Sequence, residues 1–289
     1  MNSSVLLLGA SGALGLEIAK RLKRDLIPFR AQTSSQEGMA KLLPYTNDIW
    51  VVDPANNPEE VTGITLGMDA VISGMGKSVS LFTNSPDTFN EVDHVGNAEV
   101  LLDALKNKVP YYIYVSIKEA GHNDDFEIPK SHKKFEDKLT ETEIPHCILR
   151  PVGMFSGLHD LAIMAKRKMI PIIGDGEART NSISQDDMAE VVITTLKNRT
   201  TGVQLIGGPE IHTRLEMAEM IQDRFGAKIV KIPKTIADIG AFLPRFFDKN
   251  FYDKTSFFKY ICTHDMIGDK HGVMTFKQYL QGINENDLP

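Results

Sequence analysis

Apolar residues in this chain come in short unbroken runs, separated by stretches in which they recur at helical spacing. The first run is residues 5–8, and Leu14, Ile18 and Leu22 then mark one face of a helix. Residues 27–32, 49–53, 70–73, 111–116 and 146–151 repeat the run, predicting six strands. Residues 36–43, 58–66, 93–105 and 131–139 read as the helices between them, and Pro110 closes one helix before the fifth strand begins. Strands without a polar face, joined by helices, predict a doubly wound α/β fold with a parallel sheet covered on both sides. Residues 78–90 hold turn formers without a period and read as a mobile loop.

The second half carries the same grammar less regularly. Residues 157–169 predict a helix whose end collects Lys166, Arg167 and Lys168, cations that complement the helix dipole. Residues 171–176 read as a strand and turn, 185–196 as a helix opened by Asp186 and Asp187, and 203–206 as a short strand. Thr213-x-x-Glu216 is a capping box at the start of a further helix. From 236 to 261 aromatic residues crowd together, among them Phe242, Phe246, Phe247, Phe251, Phe257 and Phe258. The buried core of a smaller lobe is the expectation for them; an apolar substrate pocket, a dimer patch and a membrane-surface contact stay open.

Composition narrows the class. The 289 residues carry a net charge of −6 and a pI near 5.8, which argues against a nucleic-acid-binding surface. Two cysteines, Cys147 and Cys262, make no disulfide framework and suit a reducing compartment. No apolar run approaches the ~20 residues of a membrane span, and sheet structure from Val5 leaves no room for a signal peptide, so a cytoplasmic location is expected. No set of ligand residues stands at metal-binding spacing, and no metal is expected.

The chemistry begins at the first turn. Gly9, Ala10, Ser11, Gly12, Ala13, Leu14 and Gly15 form G-x-x-G-x-x-G between a strand and a helix, the context a dinucleotide-phosphate cradle requires. The first glycine allows the sharp turn and the second lets a pyrophosphate reach the backbone. The third lets the helix lie close on the sheet. NAD binders place Asp or Glu at the end of the second strand. Here Arg30, Gln32, Thr33, Ser34 and Ser35 stand instead, which points to the 2′-phosphate of NADP, with NAD as the alternative. Arg30 as a solvated strand-edge charge stays open. Ser73, Gly74, Met75 and Gly76 are small or flexible residues at the carboxyl end of a central strand, where such folds leave room for the cofactor.

These residues are joined by Gly67-Met68-Asp69-Ala70-Val71-Ile72-Ser73, Val92-Asp93-His94-Val95-Gly96-Asn97, Tyr114-Val115-Ser116 and Ile148-Leu149-Arg150-Pro151. Further on come Gly174-Asp175-Gly176, Ile183 to Ala189, Gly207-Gly208-Pro209-Glu210 and Gly272-Val273-Met274-Thr275-Phe276. In that order they resemble the atypical or extended short-chain dehydrogenase/reductases, the NmrA-like NAD(P)-binding proteins in particular, over nearly the whole chain. The resemblance implies cofactor contacts from the glycine loop, from Ser73 to Gly76, from Val115 and Ser116, and from Pro151, Val152, Gly153, Met154 and Phe155. It also implies a dinucleotide-binding domain over 1–152 and a substrate lobe over 153–289 at the nicotinamide end, with 177–208 returning to the sheet.

Reductases of that superfamily use Tyr-x-x-x-Lys on the helix after the fifth strand and a hydroxyl at the strand end. Ser116 supplies the hydroxyl. Counted back from Arg150-Pro151, the lysine position is His132 and the tyrosine position Ile128, so the pair is missing; Lys133 lies beside it. His132 could donate a proton in its place; a solvated helix face is the other reading for His132 and Lys133. Tyr114-x-x-x-Lys118 has the spacing but runs off a strand, and reads as a coincidence. The expectation is an NADPH-dependent reductase of a small apolar carbonyl or quinone-like acceptor, a monomer or homodimer. The alternative is a non-catalytic NAD(P) sensor or assembly protein acting through a protein partner.

Overall fold

Strands β1 (Val5–Leu8), β2 (Phe29–Thr33), β3 (Ile49–Val51), β4 (Ala70–Ser73), β5 (Tyr112–Val115) and β6 (His146–Pro151) carry the first half of the chain. Between them run α1 (Ala13–Arg24), α2 (Gln36–Leu42), α3 (Asn97–Lys106) and α4 (Glu127–Thr140). The second half continues with α5 (His159–Lys166), β7 (Met169–Ile173), β8 (Arg179–Thr180), α6 (Gln185–Asn198), β9 (Gly202–Gly207) and β10 (His212–Thr213). It ends with α7 (Arg214–Phe225), β11 (Lys228–Ile232), α8 (Lys234–Phe242), α9 (Lys249–Thr263), β12 (Asp269–Lys270) and α10 (Phe276–Gly282). This is a computed structural model, and it describes residues 4–83, 85–121 and 126–284.

The chain divides into two compact units. The first comprises the described residues of 1–77, 86–150 and 188–204, the second those of 78–85, 151–187 and 205–289. In the first, the strands lie in the order β3-β2-β1-β4-β5-β6-β9. Each pairing from β3 through β6 is parallel. β1 is central, its Val5 in register with Phe29 on one side and Ala70 on the other. The strand order therefore reverses beside β1, and its carboxyl end is the switch point at which such sheets bind ligands. All four residues of β1 are fully buried, as a strand covered on both faces requires.

Helix α1 buries Leu14, Ile18, Ala19 and Leu22, and its last turn holds Arg21, Lys23 and Arg24 at the negative end of the dipole. On the other side of β1 a core cluster joins Leu6, Val71, Tyr112, Tyr114, Phe135 and Leu139. Arg150 of β6 donates to both oxygens of Glu136 on α4, with Nε 2.9 Å from Oε1. This pair fixes the helix that bears His132 against the sheet.

In the second unit β7 pairs in parallel with β11, and β8 pairs antiparallel with β10. A second core gathers Phe155, Ala162, Ile172, Ile221 and Phe276. The far end of β9 receives β12, with Asp269 against Ile206, and accepts the Val152 amide at Ile206.

Three expectations from the sequence give way. The helix over 58–66 is a single 3-10 turn, Pro58–Val61. Gly63 takes φ +86°, and the amides of Gly63 and Thr65 go to the carboxylate of Asp103 rather than to helix carbonyls. Within the stretch 78–90, residues 80–83 are bonded to the rest of the second unit: Asp160 accepts from the Ser80 hydroxyl and the Leu81 amide, and Lys254 donates to the carbonyls of Ser80 and Thr83. The aromatic stretch from 236 is no core, for most of its apolar side chains up to Phe251 are exposed and only Ala241 and Phe257 are buried.

A side chain at position 15 would disturb the seat of α1. A Cβ there would overlap the Gly9 carbonyl oxygen and stand 2.7 Å from Ala10 Cα. Gly15→Ala is expected to lower stability by about 2 kcal/mol in urea unfolding. A loss below about 0.5 kcal/mol would mean that α1 can lift away from the turn at little cost.

Candidate functional site

The site is built at the carboxyl edge of β1, β2, β4 and β5 in the first unit. Gly9 leaves β1 with φ +66°, and a Cβ there would lie 2.8 Å from Met75 Cα and 2.9 Å from the Gly74 carbonyl oxygen. Glycine is thus required twice over at this position, for the backbone angle and for the close approach of the segment after β4. The Gly9 amide donates to the Gln32 side chain at 2.9 Å, the Ala10 amide to the Gln32 carbonyl at 3.0 Å. Gln32 in turn donates to the Val52 carbonyl, so one buried amide side chain holds the turn to β2 and to the residue that follows β3.

Gly12 is the residue before α1, extended at φ −73°, and offers no side chain to cap the helix. No acidic residue stands in the first turn of α1. Ser35 caps α2, Thr213 α7, Asp248 α9 and Thr275 α10, while α3, α4, α5 and α8, like α1, start without a side-chain cap. Gly12 and Ala13 are exposed. The result is an open, positively polarised helix start beside the glycine turn, with the charge preference of a phosphate cradle.

At the end of β2 the Ser11 and Thr33 hydroxyls share a hydrogen bond of 2.8 Å, and the Ser35 hydroxyl accepts from the Gly38 amide. A Cβ on Gly38 would overlap the Thr33 hydroxyl and approach the Ser11 hydroxyl to 2.7 Å. Ser34 and Ser35 are exposed, and no carboxylate lies between Gln32 and Gln36. Arg30 stands elsewhere. Residues alternate across a strand, so Arg30 faces away from Thr33 and lies three residues nearer the strand's start. Its guanidinium donates to Asp48 at 3.0 Å and to the Ile64 carbonyl at 2.7 Å, and stacks 5.0 Å from the centre of the Trp50 ring. The expected 2′-phosphate partner is committed to other groups.

After β4, Ser73 donates to Asn97 Oδ1 at 2.5 Å, and Asn97 donates to the carbonyls of Met75 and Asp93. The Lys77 amide donates to Asp93 Oδ1 at 2.6 Å. Asn97 and Asp93 therefore hold the segment 73–77 in place. Both fall within the stretch Val92–Asn97 that helped carry the family resemblance, but spacing alone gave them no task.

Ser116 continues β5, its amide donating to the Leu149 carbonyl at 2.8 Å. Its hydroxyl is buried and has no hydrogen-bond partner. Tyr114, two residues earlier on the same face, is fully buried and shares a 2.6 Å hydrogen bond with His132 Nδ1. His132 Nε2 faces Asp93 Oδ2 at 3.8 Å, and that oxygen has no hydrogen-bond partner. Tyr114, His132 and Asp93 thus form a buried polar row, and the tyrosine set aside as coincidental spacing is part of it. Lys133 points elsewhere, pairing with Asp137 one turn along α4, since neighbours on a helix diverge by about 100°. Ile128, at the family's tyrosine position, is in the core.

The residues after β6 lie in the second unit. Gly153 accepts from the Ile183 amide, the Phe155 amide donates to the Ile183 carbonyl, and the Phe155 ring packs against Phe276 and Tyr279. Phe155 is a core residue of that unit. Among the described residues no group of three or more His, Cys, Asp or Glu could hold a metal ion. No helix there is long and apolar enough to cross a membrane.

Burial sets the protonation of the polar row. It pushes the His132 ring down to about 4, so the ring is neutral, and pushes the Asp93 carboxyl up to about 8, against the amide and charge of Lys77. Burial and the nearby carboxyls hold the Tyr114 hydroxyl well above its ordinary value. Between the ordinary 3.8 and about 8, folded Asp93 keeps a proton that the unfolded chain has released, so stability falls as pH rises through that window. His132 acts oppositely between about 4 and 6.5, where only the unfolded chain binds the proton, so there stability rises with pH. From 6.5 to about 8 the Asp93 effect stands alone. Asp93→Asn, neutral at every pH, is expected to gain on the parent protein there by up to about 1.4 kcal/mol per pH unit. Thermal unfolding at pH 6.5, 7.2 and 8 measures this; a constant difference would mean that the carboxyl is already ionised.

The sequence profile of NAD(P)H-binding proteins matches residues 9–199. A chloroplastic protein of Arabidopsis thaliana, High Chlorophyll Fluorescence Phenotype 244, is 23% identical, the match covering 99% of this chain and 76% of that protein. Photosystem II assembly factor Ycf39 of Trieres chinensis is also 23% identical, over 88% of this chain and 80% of its own. Among solved structures, an NADPH-dependent quinone oxidoreductase of Escherichia coli complexed with NADPH superposes with a TM-score of 0.72. It is 16% identical and covers 96% of this chain and 98% of that one, a likeness of fold. With the open glycine cradle at the switch point of a parallel sheet, these findings identify the chain as a member of the NAD(P)H-binding family, built on the fold of the atypical short-chain dehydrogenase/reductases.

Proposed function

We propose that this chain is an NADPH-dependent reductase of a small apolar carbonyl or quinone-like acceptor. The observation that carries the reading is the start of α1 against the Gly9–Gly15 turn, where Gly12 is exposed and no side chain caps the helix. Residues 9–15 hold the pyrophosphate there. The hydroxyls of Ser11, Thr33, Ser34 and Ser35 meet the adenosine ribose. With no carboxylate among them to repel a 2′-phosphate, NADPH is favoured over NADH. Ser73 to Gly76, Val115 and Ser116 line the path toward the nicotinamide.

The bound cofactor supplies a hydride. The chain's own part is to bind, orient and exclude water. The Ser116 hydroxyl, buried without a partner, is free to hold the acceptor oxygen. The row of Tyr114, His132 and Asp93 contributes no fixed positive charge, because His132 is neutral. That suits an acceptor such as a quinone, whose reduction needs less help from a protein acid than that of an isolated ketone.

A second reading is a dinucleotide-bound assembly or sensor protein. It is favoured by Ile128 and His132 in place of the family's tyrosine and lysine, and by the assembly-factor name of a relative matched along most of this chain.

Gly12→Val separates a ligand site from a merely structural turn. At φ −73° a side chain fits position 12, and a Cβ would meet only the Gly9 carbonyl oxygen at 3.3 Å. The apo variant is expected to unfold close to the parent's temperature and to bind NADPH about tenfold more weakly or worse. Fluorescence titration with NADPH and NADH measures both the loss and the preference for NADPH. Equal binding by parent and variant would sink the cradle. Oxidation of NADPH with a panel of quinones then decides between the readings: no turnover, together with a stoichiometric protein partner recovered with bound NADPH, would replace the first with the second.

A further inference from the structure

We propose that the tip of the second unit formed by α8, the turn after it and the first residues of α9 docks on an anionic lipid surface. The inference is independent of the cofactor reading. Ile236, Ile239, Leu243 and Phe246 recur at helical spacing and are exposed, with Phe242 and Phe247 beside them. Phe246 is 68% exposed and Phe247 88%, adjacent rings at the end of a helix where a folded chain ordinarily hides such side chains. Phe242 and Phe246 pack edge to face, 5.5 Å apart, so the rings form one continuous apolar surface.

Charge selects the occupant. Residues 228–259 hold seven Lys and Arg against three Asp, a net +4 in a chain whose total is −6. Lys231, Lys234, Arg245 and Lys249 are exposed around the apolar stripe. The two exposed acids are engaged within the tip. Asp238 pairs with Lys259 at 2.8 Å, and Asp248 caps α9 by accepting the Phe251 amide at 3.0 Å. The surface presented outward is therefore apolar with a positive rim, from which Asp175, beside Lys234, subtracts. A second copy would bring the same positive rim against it in a two-fold contact, which like charges disfavour. An anionic bilayer offers acyl chains for the Phe and Ile side chains and headgroups for the Lys and Arg, the pairing that holds amphipathic helices in a membrane interface.

The test uses the full chain and vesicles of phosphatidylcholine, alone or mixed with phosphatidylglycerol, read by co-sedimentation. The parent is expected to bind the mixed vesicles, to leave the neutral ones largely unbound, and to weaken as salt is raised. The double variant Phe246→Ser, Phe247→Ser is expected to lower the partition by about tenfold or more. Lys234→Gln with Arg245→Gln should weaken binding and flatten its salt dependence. Thermal unfolding and NADPH titration of each variant check that fold and cradle are unchanged. A parent protein that ignores the mixed vesicles, or a double variant that binds them as the parent does, would overturn the proposal. So would concentration-dependent self-association, abolished by the same phenylalanine substitutions while vesicles go unbound.

Discussion

Helix α1 rests against the turn after β1 only because position 15 carries no side chain, and the arrangement of the whole cradle depends on that contact. The remaining parts are then drawn to the same edge by side chains that bond to backbone. Gln32 ties the turn to β2, while Asn97 and Asp93 tie the segment after β4. A site held by its own hydrogen bonds needs little reordering when a ligand arrives, so more of the contact energy appears as affinity.

What replaces the family's tyrosine and lysine is more than a deletion. A permanent cation beside the ribose would polarise the site. Here the helix that should carry it presents a neutral ring, bonded to Tyr114 and facing a carboxyl that burial keeps protonated near neutral pH. Such a row adds specificity to the packing of α4 on β5, because each member has a shaped polar neighbour, but it lends little electrostatic force to chemistry beyond it. The geometry agrees with an acceptor that makes small demands on the protein, and equally with a dinucleotide held for its structural effect.

The sheet and the glycine turn were legible in the sequence because each rests on a local rule. Strands buried on both faces must be apolar throughout, and a turn that the next segment approaches closely must be glycine. Distance along β2 does not say which face Arg30 takes; alternation turns it away from Thr33, toward Asp48 and Trp50. On a helix the same holds for Lys133, which diverges from its neighbour His132 and pairs with Asp137. The stretch 58–66 reads as helix by composition, yet Asp103, some forty residues on, captures its amides. For the aromatic stretch after 236, periodicity could show that one face is apolar, but not whether the chain itself covers that face. Tyr114, His132 and Asp93 come from three separate segments, and no spacing in one dimension brings them together.

Gly38 bears on any attempt to engineer this protein. A glycine inside a helix is normally an invitation to substitute alanine, which restricts the unfolded chain and so gains stability. In α2 that exchange would drive a methyl group into the Thr33 hydroxyl and against Ser11. The helix would have to shift outward, carrying with it Ser35, which caps its start. A substitution chosen to harden a surface helix would thus be felt first among the hydroxyls of Ser11, Thr33 and Ser35, so the usual route to a stiffer helix is closed at this position.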